Sequence, residues 1–268
     1  MRNDELGRLA LAALIVLGMA VVPVLVSARP ANEIPVESVE GNAQLSAADA
    51  AEWDDVPAAE VPLSSAPSGL PDASDTSISA VEVQAAQDGE KLYIRMHWRD
   101  PTADRNVTGP RGFADAAAVQ IPVNTSTHPA IAMGSTRTPV NVWYWSAEKG
   151  TEELAAGGPS TTTSFEQPAV ETDVTRHNGT YTLVYSRPLA SDADNRTAIT
   201  MENNVDVAFA VWNGSNAERS GRKAVSEWYH FPLGPQPSGP QHQGLLWAIA
   251  GIAIVVVVAA TGFAIKRT

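Results

Sequence analysis

Ile78-Ser79-Ala80-Val81-Glu82-Val83-Gln84-Ala85, then Asp88-Gly89, then Lys91-Leu92-Tyr93-Ile94-Arg95-Met96-His97-Trp98 is the stretch that decides the fold. Both flanks alternate apolar and polar side chains with a period of two, the period at which a strand sends successive side chains to opposite faces. The Asp-Gly pair between them supplies a residue that tolerates positive φ, so the segment reads as a β-hairpin. Asn178-Gly179 ahead of Thr180-Tyr181-Thr182-Leu183-Val184-Tyr185 repeats the signal. Further strands are expected at 116–121, 140–145, 205–212 and 224–231, and strong helical periodicity is absent outside two long apolar runs. About eight short strands of this kind predict an all-β fold, an antiparallel β-sandwich of the immunoglobulin-like or carbohydrate-module-like type, over residues 51–232. Residues 150–168, rich in Gly, Thr and Ser, read as a long loop.

The two apolar runs bracket this domain. Leu9–Ala28 and Gly244–Ile265 carry no charge, and each is long enough to cross a hydrocarbon core as a helix. The first is read as a signal anchor, with a cleaved signal peptide as the alternative because Val26-Ser27-Ala28 has small residues at the right places. The second ends Lys266-Arg267-Thr268, and the positive-inside rule puts that tail in the cytoplasm. Residues 1–8 then form a cytoplasmic N-terminus, 29–50 a linker and 233–243 a Pro-rich stalk. The expected location is the cell membrane, with the main domain on its extracytoplasmic face, and lipid is an expected partner.

Charge and cysteine content exclude several function classes. The whole chain has a net charge of −12. Such a surface disfavours nucleic acid, whose binding rests on Lys and Arg neutralising phosphates. Abundant acidic residues with few lysines resemble the composition of proteins from extreme halophiles, an ordinary acidic exported protein being the alternative. The absence of cysteine removes disulfides, thiolate-held iron–sulfur clusters and covalent CxxCH haem attachment. Sequons at Asn106, Asn124, Asn178, Asn195 and Asn213 fit an exported domain. None of the five histidines (His97, His128, His177, His230, His242) stands in a nucleophile-elbow or zinc spacing, and no Gly-rich phosphate loop follows a strand.

Two segments hold candidate binding chemistry. Pro139-Val140-Asn141-Val142-Trp143-Tyr144-Trp145 would place Trp143 and Trp145 on one face of a strand and Tyr144 on the other. The pair is either core or a stacking wall for a planar ligand such as a porphyrin or a sugar. The second segment is Glu218-Arg219-Ser220-Gly221-Arg222-Lys223-Ala224-Val225-Ser226-Glu227-Trp228-Tyr229, which holds one of only four lysines. Only an amine readily loses its proton when desolvated and can then bond a metal, which an arginine does not.

A resemblance joins these segments. Asp88 to Arg95, Trp98-Arg99-Asp100-Pro101-Thr102, Phe113 to Pro122, Ala132-Met133-Gly134, Pro139 to Trp145, Phe209 to Ser215 and Lys223 to Tyr229 follow one another. Together they resemble the haem-binding gamma subunit of ethylbenzene dehydrogenase, dimethylsulfide dehydrogenase and related molybdenum enzymes. The resemblance implies a β-sandwich holding one non-covalent haem b between a methionine and a lysine. Those positions fall on Met133 and Lys223, with Trp143, Trp145 and Trp228 in the haem pocket and His128 as the substitute ligand. It further implies an electron-transfer role, not a catalytic one, beside an iron–sulfur subunit and a molybdenum catalytic subunit. Members of the family are often soluble after export. The C-terminal apolar run of this chain departs from that and implies a tethered complex near a quinol-linked cytochrome or Rieske-type carrier. Respiratory nitrate reduction is the favoured activity of such a complex, with chlorate, dimethylsulfide and hydrocarbon enzymes left open. A membrane-anchored carbohydrate-binding module is the alternative reading, and a membrane-anchored surface domain with only a structural role is a third.

Overall fold

The computed structural model of the chain describes residues 32–41, 44–105, 109 and 112–234. Both apolar runs, residues 235–243 of the stalk and the two tails lie outside these residues, while Leu233, read as the first stalk residue, is buried in the core of the domain. Among the described residues no helix is long and apolar enough to cross a membrane.

Fourteen strands are present among the described residues: β1 (Val36–Ser38), β2 (Ala58–Pro62), β3 (Ser64–Ser65), β4 (Ala80–Gln87), β5 (Lys91–Arg99), β6 (Ala116–Pro122), β7 (Val140–Ser146), β8 (Gly150–Ala156), β9 (Thr163–Ser164), β10 (Glu171–His177), β11 (Thr180–Pro188), β12 (Val205–Trp212), β13 (Ala224–Val225) and β14 (Tyr229–Phe231). They form two sheets. The first runs β1-β4-β5-β11-β10, with β2 also on β4; the second runs β3-β13-β12-β6-β7-β8-β9, with β14 also on β12. Every pairing is antiparallel except β1 on β4.

The hairpin read from the sequence is β4–β5, registered Gln87↔Leu92 and Glu82↔His97. Gly89 sits at φ +87°, and Asp88 Oδ1 accepts from the backbone N–H groups of Glu90 and Lys91. At the second turn both Asn178 and Gly179 have positive φ, the demand of a type I′ turn. Alternation then dictates the core. Val81, Val83, Leu92, Ile94, Met96 and Leu183 of the first sheet face Ala117, Val119, Ile121, Trp143, Val207 and Phe209 of the second.

Three expectations need correction. The segment read as a linker, 29–50, belongs to the domain from Asn32 onward. Leu45 and Ala48 join Trp53 and Val56 in a cluster over Ala86, Tyr93 and Val184, on the outer face of the first sheet. That covering explains why Ala86 and Val184, on the outer faces of β4 and β11, are apolar and buried. Residues 150–168, read as a loop, hold β8 and β9, because their Thr, Glu and Ala side chains sit at a sheet edge where apolar alternation is not required. The strand expected at 224–231 is two short ones, broken where the Ser226 side chain bonds the Phe209 N–H and the Glu227 carbonyl.

One further contact fixes the ends of the domain. The Ile34 N–H donates to the His230 carbonyl and the His230 N–H to the Asn32 carbonyl, so the first and last described segments lie side by side.

Candidate cofactor-binding site

The second sheet has an outer face that no other layer covers among the described residues, and its register decides what stands there. Ala118 pairs with Tyr144 and with Ala210, Gln120 with Val142 and with Ala208, Ala116 with Trp212, and Val142 with Leu154. Directly opposed residues share a face. The outer stripe is therefore four alanines, Ala116, Ala118, Ala208 and Ala210, flanked by Val142, Leu154, Tyr144 and Trp212. Small side chains on the central strands β6 and β12 leave a trough, and the loops around it build the walls. The result is a cavity of about 980 Å³, at the upper end of ligand-sized cavities.

Two sequence-predicted residues, Met133 and Lys223, line this cavity although they are ninety residues apart. Met133 lies in the β6–β7 loop with φ +65°, followed by Gly134 at +69°. A left-handed methionine is costly for a side chain with a Cβ, by about 1–2 kcal/mol. Surrounding bonds hold it there. The Met133 N–H donates to the Ile131 carbonyl, the Gly134 N–H to Ala130, and the Met133 carbonyl accepts from Gly158. Gly134 is required, since a Cβ there would run into the Thr138 carbonyl.

Lys223 enters from the strand-like segment before β13. Its ammonium lies 4.8 Å from the centroid of the Trp212 ring, and among the described residues no carboxylate is within ion-pair distance of it. Burial without a counter-charge pushes its pKa down to about 8. Trp212 is itself fixed by an Nε1–H bond to the Ser220 carbonyl and meets Tyr144 edge-on at 5.7 Å. A soft thioether and an amine that readily becomes neutral thus border one apolar space. Both are metal-capable donors.

The other predicted pocket residues stand elsewhere. Trp143 and Trp145 point inward, into the core between the sheets, where Trp143 donates to Asn141 Oδ1 and lies under Arg187, and Trp145 meets Tyr181 edge-on. The alternation was read correctly, but the face toward the cavity is that of Tyr144. A pair buried in the core cannot stack on a sugar, which removes the feature that suggested a carbohydrate module. Trp228 packs against the same apolar cluster as Met133 and donates to the Pro129 carbonyl, bracing the β6–β7 loop from outside the cavity lining. His128 is exposed and bonds Asp206 at 2.6 Å, so it points away from the cavity.

The residues missed from the sequence are the alanine floor, Phe113, Tyr144, Trp212, Lys149 and Arg219. A clue was present. Ala116-Ala117-Ala118 is too small to fill both faces of a strand, and a strand with alanines on its outer face marks either a covered or a hollow surface.

The chain matches the ethylbenzene dehydrogenase family model over residues 50–172 and 158–224. It belongs to this family, among its gamma subunits. ORF7 of Haloferax mediterranei, named as a respiratory nitrate reductase haem subunit, is 60% identical over 95% of this chain and 92% of its own. The gamma subunit of chlorate reductase from Ideonella dechloratans is 30% identical over 81% of this chain and 95% of its own. Among solved structures, a family 9 carbohydrate-binding module from Caldicellulosiruptor kristjanssonii in complex with glucose aligns at a TM-score of 0.44. It is 11% identical and covers 78% of this chain and 99% of that one. The likeness is loose.

Proposed function

We propose that this gamma subunit holds one b-type haem non-covalently in the outer-face cavity, where Met133 and Lys223 would hold its iron. It relays single electrons between a membrane quinol-linked cytochrome or Rieske-type carrier and the iron–sulfur subunit of an extracytoplasmic molybdenum oxidoreductase. The molybdenum subunit of that complex carries out the chemistry, and respiratory nitrate reduction is the favoured activity. The domain works at the outer face of the cell membrane, tethered through the apolar runs read from the sequence. One observation carries the reading: two donors distant in sequence meet at one apolar cavity of the right size, on a chain with no thiolate to offer.

The residues suit the group. When bound, the haem supplies a ferric–ferrous couple. The Met133 thioether favours the ferrous form and tends to raise the potential, whereas a neutral lysine amine is the stronger donor. Burial already favours the neutral amine at Lys223, so less is lost when its proton leaves. The left-handed turn at Met133–Gly134 aims the thioether from a loop fixed at both ends. The alanine floor and the Tyr144 and Trp212 rings would keep water from the iron of a bound haem.

Absorption spectroscopy of the protein expressed with haem available tests this. The expected result is a low-spin b-type spectrum, altered or lost in Met133→Ala and in Lys223→Ala. A folded wild-type protein that takes up no haem under those conditions overturns the proposal.

A further inference from the structure

Resting on the haem reading, we propose that Arg219 and Lys149 are the subsite that receives the two carboxylates of the porphyrin and so fixes which edge of the ring enters the cavity. The cations are distributed unevenly. Of the three lysines among the described residues, two line this one cavity, Lys149 and Lys223, and Arg219 joins them. Lys223 is half-buried and commits to the metal, whereas Arg219 and Lys149 are exposed lining residues and therefore mark the mouth.

Topology sets them at one end of the trough. Lys149 lies in the β7–β8 turn, beside Ser146, which pairs with Ala116 at the start of β6. Ala116 pairs in turn with Trp212, the last residue of β12, from which the chain runs on to Arg219. Phe113, just ahead of β6, lies under the Arg219 guanidinium at 4.9 Å. The opposite end, beside the Met133 loop, offers Pro159, Ser160 and Thr162, none of them charged. A dianionic edge on an otherwise acidic domain is thus stabilised at one end only.

The neighbouring carboxylates rank the two cations. Glu218 also lines the cavity but is buried and occupied, accepting from the Ser77 N–H, the Ser77 hydroxyl, the Asn213 N–H and the Asn216 amide. Burial raises the Tyr144 pKa, and Glu152, paired across from it on the outer face, and Glu148, next to Lys149 in the β7–β8 turn, raise it further, so Lys149 shares its end of the trough with two carboxylates. A guanidinium can also bond a carboxylate through two parallel N–H groups, which an ammonium cannot. Arg219 therefore carries the larger share.

The test compares ferric protoporphyrin IX with its dimethyl ester, which keeps the ring and the iron but has no carboxylates. Both are titrated by Soret absorbance into the haem-depleted full-length chain, as wild type, Arg219→Gln, Lys149→Gln and the double variant. The wild type is expected to prefer the diacid by about tenfold or more, the range of a charge-assisted bond. Arg219→Gln should lose most of that preference, Lys149→Gln a smaller part, and the double variant all of it. Affinity for the ester should stay within about twofold throughout. Equal binding of the two porphyrins by wild type overturns the subsite and leaves the haem reading standing, as does an equal loss for both porphyrins in the variants. Binding of neither porphyrin to the wild type overturns the haem reading and this inference with it.

Discussion

The Lys223 ammonium rests 4.8 Å from the centre of the Trp212 ring, and a cation–π contact takes the place of a salt bridge for a half-buried charge. The ring softens the desolvation of the ammonium without trapping it as an ion pair would, since cation–π attraction is about 0.5–2 kcal/mol. That is the arrangement a ligand amine needs: tolerable as a cation before the metal arrives, and easy to deprotonate.

The pH dependence follows from the folded pKa of about 8 against an ordinary value of 10.5. Between these two values the unfolded chain binds more protons than the folded one, so the stability of the haem-free protein rises with pH across that window. Below about pH 8 the amine is charged in both states and the full cost of burying it is present. Thermal melts of wild type and Lys223→Met at several pH values check this. The wild type should gain on the variant as pH rises from 8 to 10.5, and parallel melting curves would contradict it.

The alanine floor can be filled without touching the core. Ala210→Phe places a ring in the trough from the outer face of β12, opposite Ala118. The circular dichroism spectrum should be unchanged, while haem affinity should fall by about a hundredfold, the loss of roughly 3 kcal/mol of contacts to a ring that no longer fits. Unchanged haem uptake would place the cofactor elsewhere.

At Met133 the backbone and the sulfur can be separated. Met133→Gly removes the thioether and also relieves the left-handed strain, so the haem-free protein should melt no lower than wild type, although the haem spectrum changes. Met133→Leu removes the sulfur and keeps the strain. Both variants should lose the same spectral feature, and a spectrum retained in either rules Met133 out as a ligand.

A buried network beside the sandwich core predicts a large stability effect away from the cavity. Glu153 is fully buried and accepts from Asn141 Nδ2, the Ala169 N–H and Arg196 Nε, with Arg187 at 3.9 Å. Burial pushes the Arg187 pKa down to about 10, yet the guanidinium also donates to Asn141 Oδ1 and the Thr197 carbonyl. Removing the carboxylate in Glu153→Ala strands a buried guanidinium and should cost about 3–5 kcal/mol by denaturant titration. A loss below 1 kcal/mol would mean that water replaces the carboxylate.

Much of the fold was legible because it depends on local rules. The Asp88-Gly89 and Asn178-Gly179 turns fix register within a few residues, and alternation in β4, β5, β7 and β12 assigns faces without knowledge of the partner sheet. What could not be read locally failed for a consistent reason. Leu45, Ala48 and Trp53 are spaced as in an irregular segment, and only the patch of Ala86, Tyr93 and Val184 on the outer face of β4, β5 and β11 gives them something to cover. β9 is a two-residue edge strand, and β8 beside it carries Glu153 inward to the Arg187–Arg196 network, a polar residue where alternation leads one to expect an apolar one.

The site divides in the same way. Sequence alone, through the resemblance, singled out Met133 and Lys223, excluded thiolate chemistry, and put Trp143 and Tyr144 on opposite faces. It left undecided which of those faces meets a ligand, because a period of two fixes alternation but not direction. The packing of the two sheets made that choice. The face bearing Trp143 was needed to fill the space against Tyr185 and Arg187, and the face bearing Tyr144 and the alanines was left to form the cavity.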